Sequence, residues 1–234
     1  MRTVAIIVAA GRGRRMGGET PKQFLPLARR PILAHTLAAF ETAEIIDEVL
    51  IVVPRADVGR CREEVVGRYR YAKAKDVLAG GRKRQDSVLI GLRAIREPCD
   101  VVCIHDGVRP FVRPDVIEKS VRTAARLGAS VVAVPVSDTI KIATDDGFVK
   151  GTPDRCHLWA AATPQSFRYR LLRDAYEEAE RDGFLATDDA MVVERTGAQV
   201  LLIEGTADNI KITTPEDLAL ARAILKRRNA EARA

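Results

Sequence analysis

Residues 4–24, VAIIVAAGRGRRMGGETPKQF, decide the fold of this 234-residue chain. The apolar run Val4 to Val8 reads as a buried strand. It feeds Ala9, Ala10 and a loop with Gly11, Gly13, Gly17 and Gly18, the cations Arg12, Arg14, Arg15 and Lys22, and the acid Glu19. Glycines let a backbone reach positive φ and leave room for amide N–H groups to approach a ligand. Such a loop at the end of a buried strand is where α/β sheets bind phosphates.

Two familiar phosphate loops fail here on spacing. The dinucleotide fingerprint G-x-G-x-x-G would begin at Gly11 and Gly13 but finds Met16 in place of its third glycine. A P-loop begun at Gly13 reaches Gly18 on cue, then meets Glu19 where its lysine should stand. Glu19 would repel a β-phosphate, so both readings fail on chemistry as well.

Around this stretch, short apolar runs alternate with amphipathic segments of helix length, the signature of a parallel sheet covered on both faces. Strands are expected at residues 4–9, 49–53, 75–79, 100–105, 130–136, 199–204 and 209–213. Helices are expected at 31–41, 57–71, 85–96, 114–127, 168–181 and 188–196, with Gly128 capping the fourth. A last helix opens at Thr214-Pro215-Glu216-Asp217, which supplies a capping hydroxyl, a proline at the first position and acids in the first turn. Residues 137–157 break the rhythm. Asp-Gly at 146–147 between TIKIA and FVK signals a hairpin, projecting as a lid or a dimerisation arm.

The length suits a single α/β domain with a substantial core. No run approaches the ~20 apolar residues needed to span a bilayer, and Arg2 with VAIIVAA lacks a signal-peptide cleavage site. Four cysteines show no CxxC pair and no histidine at zinc spacing. Cys99 and Cys103 lie on or beside an apolar strand, which favours buried thiols there and a cytoplasmic, reducing location. The net charge of +6 raises nucleic acid as a partner, but aromatics are only 5% and no stacking platform appears. The cations gather instead in two glycine loops, at 12–15 and 82–84, which suits a small, highly charged anion, and in the tail KRRNAEARA, which reads as a solvated helix end.

The chemistry-bearing residues are scattered. Asp106 ends the buried strand VVCIH at the carboxyl edge of the sheet. It would serve as a turn former before Gly107, or as a Mg²⁺ ligand whose coordination is completed by phosphate oxygens and water. The cationic loop at the same edge favours the metal. Arg109 can face the same opening as an anion clamp. The second loop, AGGRKRQDSV, carries Gly80, Gly81, Arg82, Arg84, Asp86 and Ser87, and its glycines could admit a flat base. Lys211 is a cation between short strands, Lys141 and Arg155 flank the hairpin, and Thr139, Thr163 and Thr187 are hydroxyls at loop or strand ends. No G-x-S-x-G or HExxH occurs. A nucleophile that is already anionic needs no general base, and phosphate attack on a nucleotide phosphate calls only for positioning and charge neutralisation.

Seven motifs in order, AAGRGRRM…PKQF, GGRKRQDSV, HDGVRPF, PVSDTIK, LWAAATPQSF, TDDA and DNIKITTPEDL, resemble the 2-C-methyl-D-erythritol 4-phosphate cytidylyltransferases of the non-mevalonate isoprenoid pathway. The resemblance implies a single-domain Rossmann-like nucleotidyltransferase fold, mostly parallel with helices on both faces, and a homodimer joined through a projecting β-arm at 137–157. It implies CTP, Mg²⁺ or another divalent cation, and a polyol phosphate as acceptor. Ala9, Ala10, Gly11, Gly13, Gly80, Gly81 and Ser87 would hold the nucleotide, with Arg15 and Lys22 neutralising its phosphates. Asp106 would bind the metal, and Asp106, Arg109, Thr139, Thr163, Thr187 and Lys211 would line the acceptor site. Arg155 would reach the partner subunit's acceptor phosphate, and Arg15, Lys22, Lys211 and Arg155 are the expected catalytic set. Two departures stand out: Gly107-Val108 where some members have Ala-Ala, and Arg82 where an acidic residue can contact base or ribose. The alternatives are a sister enzyme using ribitol 5-phosphate, distinguished around 139–141 and 163–165, and a non-catalytic nucleotide-binding protein on the same fold.

Overall fold

Alternation along the first apolar run builds the centre of the molecule. The computed structural model describes residues 1–11, 16–17, 20–96 and 98–231. In β1 (Thr3–Val8) every residue is buried, with Val4 and Ile6 facing one side and Ala5 and Ile7 the other. The chain then makes a 3₁₀ turn at Lys22–Phe24 and a two-residue ribbon, β2 (Pro26–Leu27) with β3 (Arg30–Pro31), before α1 (Ile32–Thr42). β4 (Glu48–Val53) follows, then α2 (Val58–Arg60), which widens into a π-helical segment at Cys61–Gly67. Next come β5 (Ala74–Ala79), α3 (Arg84–Ala94), β6 (Val101–Asp106) and α4 (Pro114–Leu127). Pro114 occupies a first-turn position that needs no N–H donor, and Gly128 ends α4 at φ 105. The remainder is β7 (Ala129–Pro135), the hairpin β8 (Ile142–Ala143) and β9 (Val149–Gly151), β10 (Trp159–Arg168), α5 (Tyr169–Arg181), α6 (Asp189–Glu194), β11 (Leu201–Glu204) and α7 (Pro215–Glu231).

Seven strands form one sheet in the order β11-β7-β10-β6-β1-β4-β5. β10 runs antiparallel to both of its neighbours, and the other six strands run parallel. On one face Ile6 and Val52 pack with Val88 and Leu92 of α3 and Leu172 and Tyr176 of α5. On the other, Ile7 and Ile51 pack with Leu37 and Phe40 of α1 and Ile117 and Val121 of α4. A smaller cluster of Leu27, Ile32, Val108, Phe111, Ile212 and Ile224 seats α7. The expected single-domain α/β fold is therefore present. Among the described residues no helix is long and apolar enough to cross a membrane.

Three expectations need correction. Residues 209–213 are not a strand but an irregular segment crossing the sheet edge, its backbone spent on Arg109 (Asn209 O, 2.8 Å) and on Val108 (from Ile212 N, 2.9 Å). β10 has no clear signal in the sequence, because Pro164 in its middle argues against a central strand. The sheet accommodates the proline through a shift of register between Ala161 and Gln165. The helix expected at 57–71 is interrupted by the π-helical segment and stops before Arg70, which takes φ 54.

The order of strand addition places the cleft. β4 and β5 are laid on one side of β1, after which α3 carries the chain back to β6 on the other side. The crevice at such a reversal, outside the carboxyl ends of the strands, is where α/β sheets receive ligands.

Candidate active site

Val8 and Asp106 are register partners at the carboxyl ends of β1 and β6, so the first glycine loop and the aspartate emerge side by side. Backbone bonds extend the ladder past the strands: Ala9 N donates to Val52 O (2.7 Å), Gly80 N to Val53 O (2.8 Å) and Gly107 N to Val8 O (2.9 Å). These bonds press the two glycine loops together. A Cβ on Gly80 would lie 2.5 Å from the Ala10 Cβ and 2.9 Å from Ser87 Oγ, so the approach needs glycine. A Cβ on Gly107 would meet the Ala9 Cβ at 2.8 Å. The glycine in Gly107-Val108 is thus a packing requirement of this chain, in keeping with a departure that alters packing. Ser87 Oγ accepts from Gly81 N (3.2 Å) and donates to Lys83 O (3.1 Å), which fixes the second loop on the start of α3.

The cleft between these loops is lined by Ala9, Ala10, Gly11, Lys22, Gln23, Gly81, Arg82, Lys83, Arg84, Ser87, Asp106, Val108 and Lys211, with Val8 at its base. Asp106 is its only carboxylate among the described residues, and three cations converge on it. Lys211 Nζ lies 2.9 Å from Oδ2, Arg109 Nε 3.4 Å from Oδ2, and Arg84 Nε 3.2 Å from Oδ1. Burial alone would raise the Asp106 carboxyl, but Arg84, Lys211 and Arg109 together hold it well below the usual carboxylate range. It is an anion at neutral pH. His105, one residue earlier, is fully buried and pushed down to about 4, so it is neutral and adds no positive charge.

Arg84 is the residue that sequence reasoning left among the loop cations. Its guanidinium forks onto Asp189, Nη1 to Oδ1 at 2.9 Å and Nη2 to Oδ2 at 2.7 Å, while its Nε holds Asp106. Asp189 is fully buried and also accepts from the Tyr176 hydroxyl. Gln165 completes the layer by accepting from the N–H groups of Asp189 and Ala190 and donating to Asp188. A planar fork suits this double contact where an ammonium would not. The motif TDDA contains Asp189, but its partner lies 105 residues away, and no local spacing reveals such a pair.

Thr163, at the β10 irregularity, is 3% exposed and accepts from Asp106 N (3.1 Å), while its carbonyl accepts from Asn209 Nδ2 (2.8 Å). Of the expected residues, the fold therefore gathers Ala9, Ala10, Gly11, Lys22, Gly80, Gly81, Ser87, Asp106, Arg109, Thr163 and Lys211. It does not bring three others into the cleft of this chain. Thr139 and Arg155 are exposed at the base of the hairpin, where Arg155 Nη1 donates to Ser137 O (2.6 Å). Thr187 is exposed ahead of α6. Gly13 and Arg15 lie outside the described residues.

The donor set can be tested against a resident metal ion. Mg²⁺ prefers hard oxygen ligands and near-octahedral geometry. Here a single carboxylate already faces three cations, so a divalent ion held by the protein alone would meet net repulsion. The described residues of the cleft do not form a protein-only metal site. They suit a polyanion, which can carry its own divalent ion and supply most of that ion's ligands.

Comparison with known proteins agrees with this geometry. The model of the family described as 2-C-methyl-D-erythritol 4-phosphate cytidylyltransferase matches residues 3–227. A protein of that name from Geotalea uraniireducens (strain Rf4) is 51% identical over 233 residues, covering 99% of this chain and 100% of the relative. One from Geobacter metallireducens is 48% identical, covering 97% and 98%. Among solved structures, 4-diphosphocytidyl-2C-methyl-D-erythritol synthase from Anaerococcus prevotii DSM 20548 superposes with a TM-score of 0.86 at 31% identity, covering 96% of each chain. The 2-C-methyl-D-erythritol 4-phosphate cytidylyltransferase of Thermus thermophilus gives a TM-score of 0.77 at 34% identity, covering 97% of this chain and 100% of that one.

Proposed function

The chain belongs to the 2-C-methyl-D-erythritol 4-phosphate cytidylyltransferase family, and on that premise we propose the reaction its cleft carries out. The enzyme transfers CMP from CTP to 2-C-methyl-D-erythritol 4-phosphate, giving 4-diphosphocytidyl-2-C-methyl-D-erythritol and pyrophosphate. The acceptor phosphate oxygen attacks the α-phosphorus of CTP in line. A new P–O bond forms as the bond to the β-phosphate bridging oxygen breaks, and the electron pair leaves with pyrophosphate. The nucleophile is already an anion, so no side chain removes a proton, which accords with a cleft whose described ionisable lining is cationic apart from Asp106.

The cluster of Arg84, Arg109 and Lys211 on Asp106 is the observation that carries this reading. Asp106 acts as the shared counter-charge that holds the cations apart and aimed while the cleft is empty. The incoming phosphates then take over part of its role. Lys22 and Arg15 stabilise the charge building on the triphosphate, and Lys211 and Arg109 meet the acceptor phosphate. Ala9, Ala10 and Gly11 with Gly80, Gly81 and Ser87 form a narrow slot for the cytosine. Asp106 and Thr163 face the polyol. The divalent ion, Mg²⁺ by expectation, enters as part of the nucleotide substrate.

The arm supports a homodimer. Ile142, Phe148 and Val149 are 49%, 71% and 63% exposed on the projecting hairpin, more apolar surface than an isolated ribbon would leave in water. Thr139 and Arg155 lie at the base of the same arm. Pairing of two arms would deliver Arg155 of the partner subunit to the acceptor phosphate, which accounts for its distance from the cleft of its own chain.

Pyrophosphate release measured with CTP, ATP, GTP and UTP against methylerythritol 4-phosphate and ribitol 5-phosphate tests the assignment. Turnover is expected with CTP and methylerythritol 4-phosphate, and the other combinations should fall at least about tenfold lower, the loss of roughly one good polar contact. Activity confined to ribitol 5-phosphate would move the enzyme to the sister reaction.

A further inference from the structure

Gln23 is fully buried and lines the cleft, yet neither its amide nitrogen nor its amide oxygen has a hydrogen-bond partner among the described residues. The turn that carries it is pinned: Phe24 N donates to Pro21 O (2.9 Å), Leu25 N to Lys22 O (3.2 Å), and Phe24 is packed in the core under the Arg60 guanidinium. Gln23 is therefore held at the cleft by its neighbours and not by its own polar group. Two orphaned polar atoms on one buried side chain are destabilising, and buried polar groups in folded proteins are paired in the large majority of cases.

We propose that the Gln23 amide is a substrate-binding group that pairs with a hydroxyl in the occupied cleft. Both of its atoms need a partner. A phosphate oxygen only accepts and would leave the amide carbonyl bare, whereas a hydroxyl donates and accepts. Lys22, one residue earlier, meets the phosphates, so Gln23 takes the hydroxylated part of the ligand beside them. That hydroxyl belongs to the ribose of CTP or to the polyol acceptor. The inference rests on the proposed reaction for the identity of those two substrates, whereas the orphaned amide is a feature of the chain itself.

Gln23→Met keeps length and volume while removing both polar atoms. The thermal midpoint of the substrate-free variant should equal or exceed that of the parent, rising by roughly 2–4 °C as the unsatisfied amide is relieved. At the same time kcat/KM should fall at least about tenfold. If the partner is the ribose 2′-hydroxyl, the preference for CTP over 2′-deoxy-CTP flattens in the variant. If it is the polyol, that preference is kept and KM for the acceptor rises. A lower midpoint in the empty variant, or unchanged kcat/KM for both substrates, overturns the proposal. The parent enzyme's own turnover with CTP and methylerythritol 4-phosphate reports separately on the proposed reaction.

Discussion

Lys22→Ala is expected to lower kcat by about 10²–10³-fold, the usual consequence of deleting one charge contact made in the transition state. Lys22 opens the 3₁₀ turn whose third residue, Phe24, is locked into the core, so the ammonium is carried on a fixed base. It lines the cleft with Lys211 and Arg84, where Asp106 is the only acidic side chain among the described lining residues. Charge on the transferring phosphoryl group and the departing pyrophosphate grows during the reaction, so the lost contact should appear mainly in kcat and less in KM for CTP. Lys22 is only partly buried, and the thermal midpoint should stay close to that of the parent. Steady-state kinetics with a melting curve make the check. A kcat within about threefold of the parent would remove Lys22 from the catalytic set.

Arg84→Met should cost both stability and turnover, for separable reasons. Asp189 is fully buried and its carboxylate would keep only the Tyr176 hydroxyl among the described residues, while Asp106 would lose one of three cations. Breaking a buried ion pair from one side typically costs about 3–5 kcal/mol, because the remaining charge is left uncompensated. In a chain of this size that corresponds to a fall of roughly 6–20 °C in the thermal midpoint. Arg84→Met combined with Asp189→Leu removes the stranded charge and should recover much of that loss. Turnover should not recover with it, since Asp106 still lacks the contact that orients it toward Lys211 and Arg109. Recovery of stability and activity together would show that Arg84 serves the fold alone. Arg84→Lys, which keeps the charge but not the fork, should fall between the parent and Arg84→Met on both measures.

These two residues also show what the sequence makes legible. The apolar run before Gly11 marks the central strand, and the loop cations at 12–15, 22 and 82–84 mark an anion site, because each signal is contained in a few consecutive residues. Asp106 is visible for the same reason, as a carboxylate ending an apolar run. Of its three partners, Arg109 and Lys211 stand out in the sequence and Arg84 does not. Arg84 looks like one of several cations in a basic loop, and only the packing of α3 against α5 and α6 brings it to Asp189. β10 is hidden by Pro164, and the irregularity that admits the proline also aims Thr163 at the Asp106 backbone. Residues 209–213 have strand-like composition but spend their backbone groups on the site instead of the sheet. Gln23 sits inside the opening motif, yet nothing in PKQF distinguishes its buried amide from a surface one. Local pattern locates the cleft, and contacts distant in sequence determine how it is charged.

In this account phosphate attacks phosphate directly, in a cleft whose described lining supplies cations. Transfer from CTP made chiral at the α-phosphorus with sulfur tests it, read as the configuration of the product phosphorothioate by ³¹P NMR. A single in-line displacement by the acceptor gives inversion. Retention of configuration would require a second displacement through a nucleotidyl-enzyme, and would contradict the role assigned here to Asp106 and its cations.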